Sequence, residues 1–230
     1  MSIQEKLSER IYGLLRASSR TGFRHAYMRI RLDPESYFEK LKNHLELPVQ
    51  SWTDLQYVSN DRLTPHADRV IRTSARLAAL EGAGLGLGGV ATALPDFGIL
   101  AAVTIRMLQK LSLTYGFNYS TDEELFDLWL AAATAAGLDL GRDFLEKQAI
   151  EKVVPRIVDA VALRAGAEVA ETLGSRIIPI VSAGAAGALN YWFVKSWGRR
   201  AQRHFLERRR TIRILPEQAG PYMLGSPLPS

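Results

Sequence analysis

Four polar side chains that stand among apolar neighbours are the residues best placed for chemistry: Asp96, Arg106, Asp159 and Asn190. A carboxylate in such surroundings can have a perturbed pKa and act as an acid or base. A carboxylate at the start of a helix instead accepts hydrogen bonds from the free backbone N–H groups there. Asp96 directly follows Pro95, and this order favours the helix cap. The alternatives are a buried ion pair with Arg72 or Arg106, and a ligand-binding role. A lone carboxylate does not make an active site, so we predict no catalytic residue.

Other catalytic and cofactor motifs are missing from the sequence. There is no cysteine, and the four histidines form no HExxH pair and are far apart: His25, His44, His66 and His204. Gly84-x-Gly86-x-x-Gly89 formally matches a dinucleotide fingerprint, but a helix pattern rather than a strand precedes it. We therefore predict no cofactor and no metal, and the sequence favours a protein that is not an enzyme.

Small residues are concentrated in two segments of the chain. Residues 82–89 contain five of the eighteen glycines. Each glycine within a helix costs roughly 0.5–1 kcal/mol relative to alanine, so this density indicates that another backbone comes close. Gly84 and Gly88 stand four residues apart, as do Ala183 and Gly187 further on. Such small faces let helices approach closely, and we predict that these two helices pack together.

Helix signals occur along most of the chain, and no segment shows convincing strand alternation. The caps, glycines and prolines predict helices from Asp33-Pro34 to about Leu45, Thr64-Pro65 to Gly82, Pro95 to Tyr115-Gly116, Ser120 to Gly137, about Phe144 to Gly174 and Pro179 to about Ile214. We predict an all-α fold with a single helical domain, residues 32–214. A basic amphipathic extension, residues 1–31, precedes it, and a proline-rich disordered tail, residues 215–230, follows.

Charge divides the chain into an acidic body and two basic ends. The net charge is +5, but residues 1–31 carry seven Lys/Arg against two Glu, and residues 195–213 carry eight against one. Like charges gathered in this way indicate an anionic partner, either phospholipid or nucleic acid, or else a solvated helix face. No nucleic-acid-reading motif is present, so nucleic acid is disfavoured. The cations assigned to an anionic surface are Lys195, Arg199, Arg200, Arg203, Arg208, Arg209 and Arg210.

The segment Ile177–Val194 has eighteen residues without a charge, the lower limit for crossing a bilayer. Proline, serine and asparagine interrupt it, so a buried core helix or a hairpin dipping partly into the bilayer is the better interpretation. Tyr191, Trp192 and Trp197 stand beside cations and suit a membrane interface, with core packing of Trp192 as the alternative. The N-terminus lacks a secretory layout, so export is not expected. Together with the basic ends, this predicts a cytoplasmic protein that is peripheral at the inner membrane face.

The order of these motifs resembles the EcsC family of bacterial proteins. The resemblance covers roughly residues 65–205, and the N-terminal 60 residues and the tail lie outside it. It rests on the glycine-rich segment, Leu94-Pro95-Asp96, Tyr115-Gly116-Phe117, and Pro179–Gly187 followed by Asn190. The resemblance implies a mostly helical fold. It implies no particular activity, because none is established for the family. The positions that match the family signature, with no catalytic role attached, are Gly84, Gly88, Asp96, Tyr115, Gly116 and Asn190.

Two functions are compatible with the sequence. The first is a non-enzymatic protein that acts peripherally at the cytoplasmic membrane face and binds anionic lipid. The resemblance also implies association with an ABC transporter, because the family takes its name from a member encoded beside two components of one. The second is a helical ligand-binding protein or enzyme with a pocket near Asp96, for which Arg106 and Asn190 are further candidate residues.

Overall fold

The structure is a computed structural model of the 230-residue chain. It describes residues 32–85, 90–120, 122–138 and 183–218, together with 160, 161, 163, 164 and 167. Side chains are described over 32–83, 99–120, 128–138 and 187–212, and at those five isolated positions. The helices of these ranges are α1 (Pro34–Leu45), α2 (Trp52–Tyr57), α3 (Asn60–Leu85), α4 (Val90–Thr114), α5 (Asp122–Ala135) and α6 (Ala183–Gln218). No strand occurs in the described ranges, and the predicted all-α class is confirmed there.

Helices α1 and α2 begin with sequence-encoded caps. The carboxylate of Asp33 accepts a hydrogen bond from the backbone N–H of Ser36 at 3.2 Å, and Pro34 occupies the first helical position. Ser51 and Asp54 form a capping box at the start of α2, in which each side chain accepts a backbone N–H of the other residue. The predicted start and end of α1 are therefore confirmed.

Helices α3 and α4 start earlier than predicted. Pro65 and Pro95 each occupy the sixth position of their helix, because α3 begins at Asn60 and α4 at Val90. Asp96 therefore lies inside α4, and its interpretation as a helix cap is wrong. A proline at the sixth position removes one intrahelical hydrogen bond, to the carbonyl four residues earlier, and both helices continue past it. Gly82 does not end α3 either, since that helix continues to Leu85.

The predicted helix ends at Gly116 and Gly137 are confirmed. Both glycines have positive φ, 85° and 72° respectively. The backbone N–H of Phe117 donates to Ser112 at 2.9 Å, which closes a Schellman motif after α4. Gly116 also has no room for a side chain, because a Cβ there would lie 2.8 Å from Cγ of Gln56. Both its conformation and its surroundings therefore require glycine.

Helix α6 is longer than predicted. It continues past Ile214 and through Pro216 to Gln218, so residues 215–218 belong to a helix and not to a disordered tail. The rest of the predicted tail, residues 219–230, lies outside the described residues, as does the predicted basic extension, residues 1–31. Most of the helix predicted over Phe144–Gly174 also lies outside them, and the five isolated positions described within it are helical.

Helix α6 packs antiparallel to α3 at close range. A Cβ at Gly187, near the start of α6, would lie 2.7 Å from the carbonyl oxygen of Ala79 and 3.3 Å from Cβ of Ala83, late in α3. Further along α6, a Cβ at Gly198 would lie 2.9 Å from Cγ1 of Ile71, nearer the start of α3. Helices α3 and α6 thus pack closely, with Ala79 and Ala83 as the small face of α3. The predicted contact through Gly84 and Gly88 lies outside the described side chains.

Helix α4 also runs antiparallel to α3. The hydroxyl of Tyr37 on α1 lies 3.2 Å from His66 near the start of α3 and 2.9 Å from Thr114 at the end of α4. Fully buried side chains fill the space between the helices, among them Leu63, Ile71, Met107, Leu111, Tyr115, Trp197 and Phe205. The start of α4, the start of α6 and the end of α3 therefore lie at the same end of the bundle.

Candidate functional site

Four large apolar side chains are exposed at that end of the bundle. Leu77 and Leu80 lie in the last third of α3, Ile99 in the first half of α4, and Trp192 in the first third of α6. Leu80 is 72% exposed and Trp192 is 51% exposed. We call these four side chains the apolar end. Large apolar side chains exposed at the same end of a bundle favour an interaction site there.

The first cations met from the apolar end lie at a similar level on all three helices. They are Arg76 on α3, Arg106 on α4 and Lys195 on α6, and all three are exposed. At 1.5 Å per residue, Arg76 lies about 15 Å from His66 and Arg106 about 12 Å from Thr114. Because Tyr37 joins His66 to Thr114, Arg76 and Arg106 have nearly equal heights. We call these three cations the cationic belt.

A groove opens between α3 and α6 beside the apolar end. It has a volume of about 650 Å³ and is lined by Arg76, Ala79, Leu80, Ala83, Gly187, Ala188 and Tyr191. The ammonium of Lys195 lies over the Tyr191 ring, 5.4 Å from its centroid. The walls are therefore apolar, and two cations of the belt lie at one end of the groove.

Trp192 and Trp197 have different environments. Trp192 is exposed at the apolar end, whereas Trp197 is fully buried and lies 5.0 Å, centroid to centroid, from Phe193. The predicted interfacial position is therefore available to Trp192, and the same prediction for Trp197 is wrong. Five residues on α6 rotate a side chain by about 500°, which turns Trp197 away from the face of Trp192.

Arg209, predicted as a surface contact, is instead 1% exposed. Its guanidinium donates to the carbonyl oxygens of Leu55 at 3.0 Å and Tyr115 at 2.8 Å, and also to that of Val58. These carbonyls lie at the C-terminal ends of α2 and α4, where a cation complements the helix dipole. A contact between Arg209 and an anionic surface is excluded by this burial, while the neighbouring Arg210 is exposed.

The other cations predicted on α6 divide by exposure. Lys195 and Arg203 are exposed, whereas Arg199, Arg200 and Arg208 are only partly accessible. Arg199 forms an ion pair with Asp68 at 2.5 Å, and the Arg208 guanidinium lies 4.7 Å from the centroid of the Phe117 ring. The exposed members are Lys195, Arg203 and Arg210, and of these only Lys195 belongs to the cationic belt.

A buried polar network that the sequence did not indicate joins α3, α4 and α6. Gln202 donates to Asp68 at 2.9 Å and to the hydroxyl of Tyr115 at 3.1 Å. Burial alone would raise the pKa of Asp68, but hydrogen bonds from Gln202 and Arg199 lower it overall. Burial raises the pKa of Tyr115, which stays a neutral phenol. Tyr115 therefore serves to hold helices together.

Those of the remaining predicted site residues that the structure describes are not gathered into one pocket. The amide of Asn190 donates to the carbonyl oxygen of Ala78 at 3.3 Å, which ties α6 to α3. Gly84 belongs to α3, and Gly88 and the side chain of Asp96 lie outside the described residues. Arg72 and Arg106 are both exposed, so neither is the buried partner proposed for Asp96.

A second polar cluster lies at the opposite end of the bundle. The Thr114 hydroxyl donates to the carbonyl of Lys110 at 2.7 Å, so Tyr37 donates to Thr114 and Nε2–H of His66 donates to Tyr37. The rings of His44 and His66 are 5.6 Å apart, although sequence distance separates them. Burial and neighbouring cations lower the pKa of His66 to about 4.

The free energy of unfolding is expected to fall as the pH drops from 6.5, the ordinary pKa of histidine, towards about 4. The folded protein keeps His66 neutral in this window while the unfolded chain binds a proton, so acid favours unfolding. His66→Asn, whose amide can still donate to Tyr37, should flatten the profile. Urea midpoints between pH 7 and 4.5 measure this effect, and parallel profiles for the two proteins would contradict the assignment.

Neither a metal centre nor a membrane span is found in the described part of the chain. No three His, Asp or Glu residues are grouped there so that they could hold a metal ion. Within the same ranges, no helix combines the length and apolar character needed to cross a bilayer. The fold and the exposed surface thus define a helical protein with one amphipathic end.

Comparison with known proteins identifies the family. The model of the EcsC protein family matches residues 2–209, and the chain belongs to this family. The match includes the N-terminal 60 residues, so the expectation that they lie outside the family is wrong. Protein EcsC of Bacillus subtilis (strain 168) is 29% identical over 168 residues, which cover 67% of this chain and 64% of that protein. The chain thus matches less than two thirds of that relative's length. No solved structure matches this chain significantly.

Proposed function

We propose that this EcsC family protein acts peripherally at the membrane, without catalysis, by inserting its apolar end into an anionic leaflet. The cationic belt would then lie at the level of the lipid headgroups. The observation that supports this proposal is the order of side chains along three helices, with exposed apolar residues beyond the first exposed cations. We place this surface at the inner face of the cell membrane, where an ABC transporter is also accessible as a protein partner.

The expected strength of binding is moderate. Each belt cation contributes about 1 kcal/mol at an anionic surface. Each half-exposed apolar side chain adds about 1 kcal/mol, since full burial of such a side chain is worth about 1.5–3 kcal/mol. The total, about 7 kcal/mol, is similar to that of a single lipid anchor and predicts reversible association. The electrostatic part should be sensitive to salt because screening acts on exposed charges.

Flotation with vesicles tests the membrane proposal. The protein is expected to float with vesicles of phosphatidylglycerol and phosphatidylcholine at low salt, and far less with phosphatidylcholine alone. Replacing the three belt residues by Glu should weaken binding at least about 100-fold, because about 3 kcal/mol of attraction is lost before any repulsion is counted.

The matched control changes the same number of charges away from the apolar end. It replaces three other exposed cations by Glu: Lys40, Arg203 and Arg210. At about 0.1 M salt this variant should retain binding within about tenfold of the wild type. Arg203 and Arg210 lie about 12 Å and about 22 Å further along α6 than Lys195, beyond the Debye length of about 10 Å, and Lys40 lies on α1 at the opposite end of the bundle. Equal losses in the two variants would indicate a general effect of net charge, and a wild type that stays unbound would disprove the proposal.

A further inference from the structure

We infer that the groove between α3 and α6 holds one acyl chain of an anionic phospholipid, taken from the leaflet that the apolar end contacts. The lipid phosphate would lie between Arg76 and Lys195. This inference rests on the proposed function and adds a ligand to it. A protein that only adsorbs to a membrane needs no groove, so the two ideas make different predictions.

The lining of the groove fits an acyl chain. Its volume of about 650 Å³ is within the range of about 300–1,000 Å³ typical of small-molecule sites. Among the described lining residues, the side chains other than Arg76 and the Tyr191 hydroxyl are apolar, and Leu80, which is 72% exposed, forms part of the wall. Because Gly187 has no side chain, α3 and α6 approach closely and form a floor along which an extended chain can lie.

The charges at one end specify an anionic headgroup. Arg76 lines the groove, and the Lys195 ammonium lies over Tyr191, which lines it too. Among the described residues, no carboxylate forms an ion pair with either cation, whereas Arg199 on the same helix as Lys195 pairs with Asp68. A phosphodiester can accept hydrogen bonds from both cations, and such charge-assisted bonds are roughly twice as strong as neutral ones.

The position of the groove indicates the source of the lipid. The apolar end and the groove share Leu80, and Trp192 directly follows Tyr191. A chain from the surrounding leaflet would therefore enter the groove without crossing water. In the same orientation, Arg76 and Lys195 are at headgroup level because they belong to the cationic belt. A free fatty acid would meet the same cations, but it would have to leave the bilayer first.

Lipid retention after membrane contact tests this inference. The full chain is bound to vesicles of phosphatidylglycerol and phosphatidylcholine, floated, released with high salt and separated from the vesicles. Lipid is then extracted and counted by mass spectrometry per molecule of protein that had floated. We expect about one phosphatidylglycerol per protein and at least fivefold less phosphatidylcholine than the vesicle composition would give.

Two variants locate the lipid. Ala188→Trp fills the groove from an exposed position and should retain at least tenfold less lipid per floated protein. Thr211→Trp makes a similar change at an exposed position further along α6, outside the groove, and should retain lipid as the wild type does. Thermal unfolding checks that both variants fold. Equal lipid retention by Ala188→Trp and Thr211→Trp would overturn the placement in the groove.

The outcomes separate this inference from the membrane proposal. A wild type that floats but carries no lipid after release would overturn the inference and leave the proposed function standing. Equal retention of phosphatidylglycerol and phosphatidylcholine would overturn the assignment of the headgroup to Arg76 and Lys195. Failure to float would instead disprove the proposed function itself, together with the lipid source.

Discussion

Arg209→Met is expected to lower the free energy of unfolding by about 3–5 kcal/mol, because it leaves three backbone carbonyls without their donor. The guanidinium donates to carbonyl oxygens of Leu55, Val58 and Tyr115, which belong to the ends of α2 and α4. Methionine fills part of the same volume but donates nothing. The loss follows because buried carbonyls left without a donor cost about 1–3 kcal/mol each.

Arg210→Met is the matched control for this prediction. Arg210 directly follows Arg209 on the same helix, carries the same charge and is exposed. Its replacement should therefore change stability by no more than about 0.5 kcal/mol. Urea unfolding of the two variants measures the difference directly. Arg209→Lys should recover little, because one ammonium cannot reproduce the planar fork that reaches three carbonyls. Equal midpoints for the Met variants would contradict the role of Arg209.

Helix ends could be predicted where a single residue determines the local backbone conformation or supplies the capping hydrogen bond. Gly116 and Gly137 adopt positive φ and end α4 and α5, and Asp33 caps α1. These signals are local, since the conformation or the hydrogen bond involves only neighbouring residues. The starts of α3 and α4 were not predictable in this way. Their prolines lie in the second turn, where the flanking sequence and tertiary packing decide whether the helix extends further back.

Which side chains are exposed could not be predicted from local sequence patterns. Arg209 and Arg210 are adjacent and chemically identical, and only the packing of α6 on α2 and α4 buries one of them. The cationic belt likewise depends on the relative heights of three helices. The sequence marks the basic character of α6, but Arg76 and Arg106 lie in segments with little net charge. Their alignment with Lys195 follows from the antiparallel packing.

Buried polar contacts account for several positions of the family signature. Asn190 bonds to the backbone of α3, and the hydroxyl of Tyr115 accepts from Gln202. Gly116 allows α4 to end against Gln56. Each of these roles holds helices in register, and none presents a reactive group to a cavity. The signature residues that the structure describes therefore maintain the shape of the bundle, while the exposed apolar end and the cationic belt supply its chemistry.

Gly187→Leu is expected to lower the free energy of unfolding by about 3 kcal/mol, at the upper end of the cost of overpacking. A Cβ at this position would lie 2.7 Å from the carbonyl oxygen of Ala79, so α3 and α6 would have to separate. Leucine has the better helix propensity by almost 1 kcal/mol, and an effect of local propensity alone would stabilise the protein. Ala188→Leu, one residue away and exposed, should change stability by less than about 0.5 kcal/mol. Thermal and urea unfolding distinguish overpacking between the helices from an effect of local helix propensity. A stabilised Gly187→Leu protein would show that the close approach of α3 and α6 is not required.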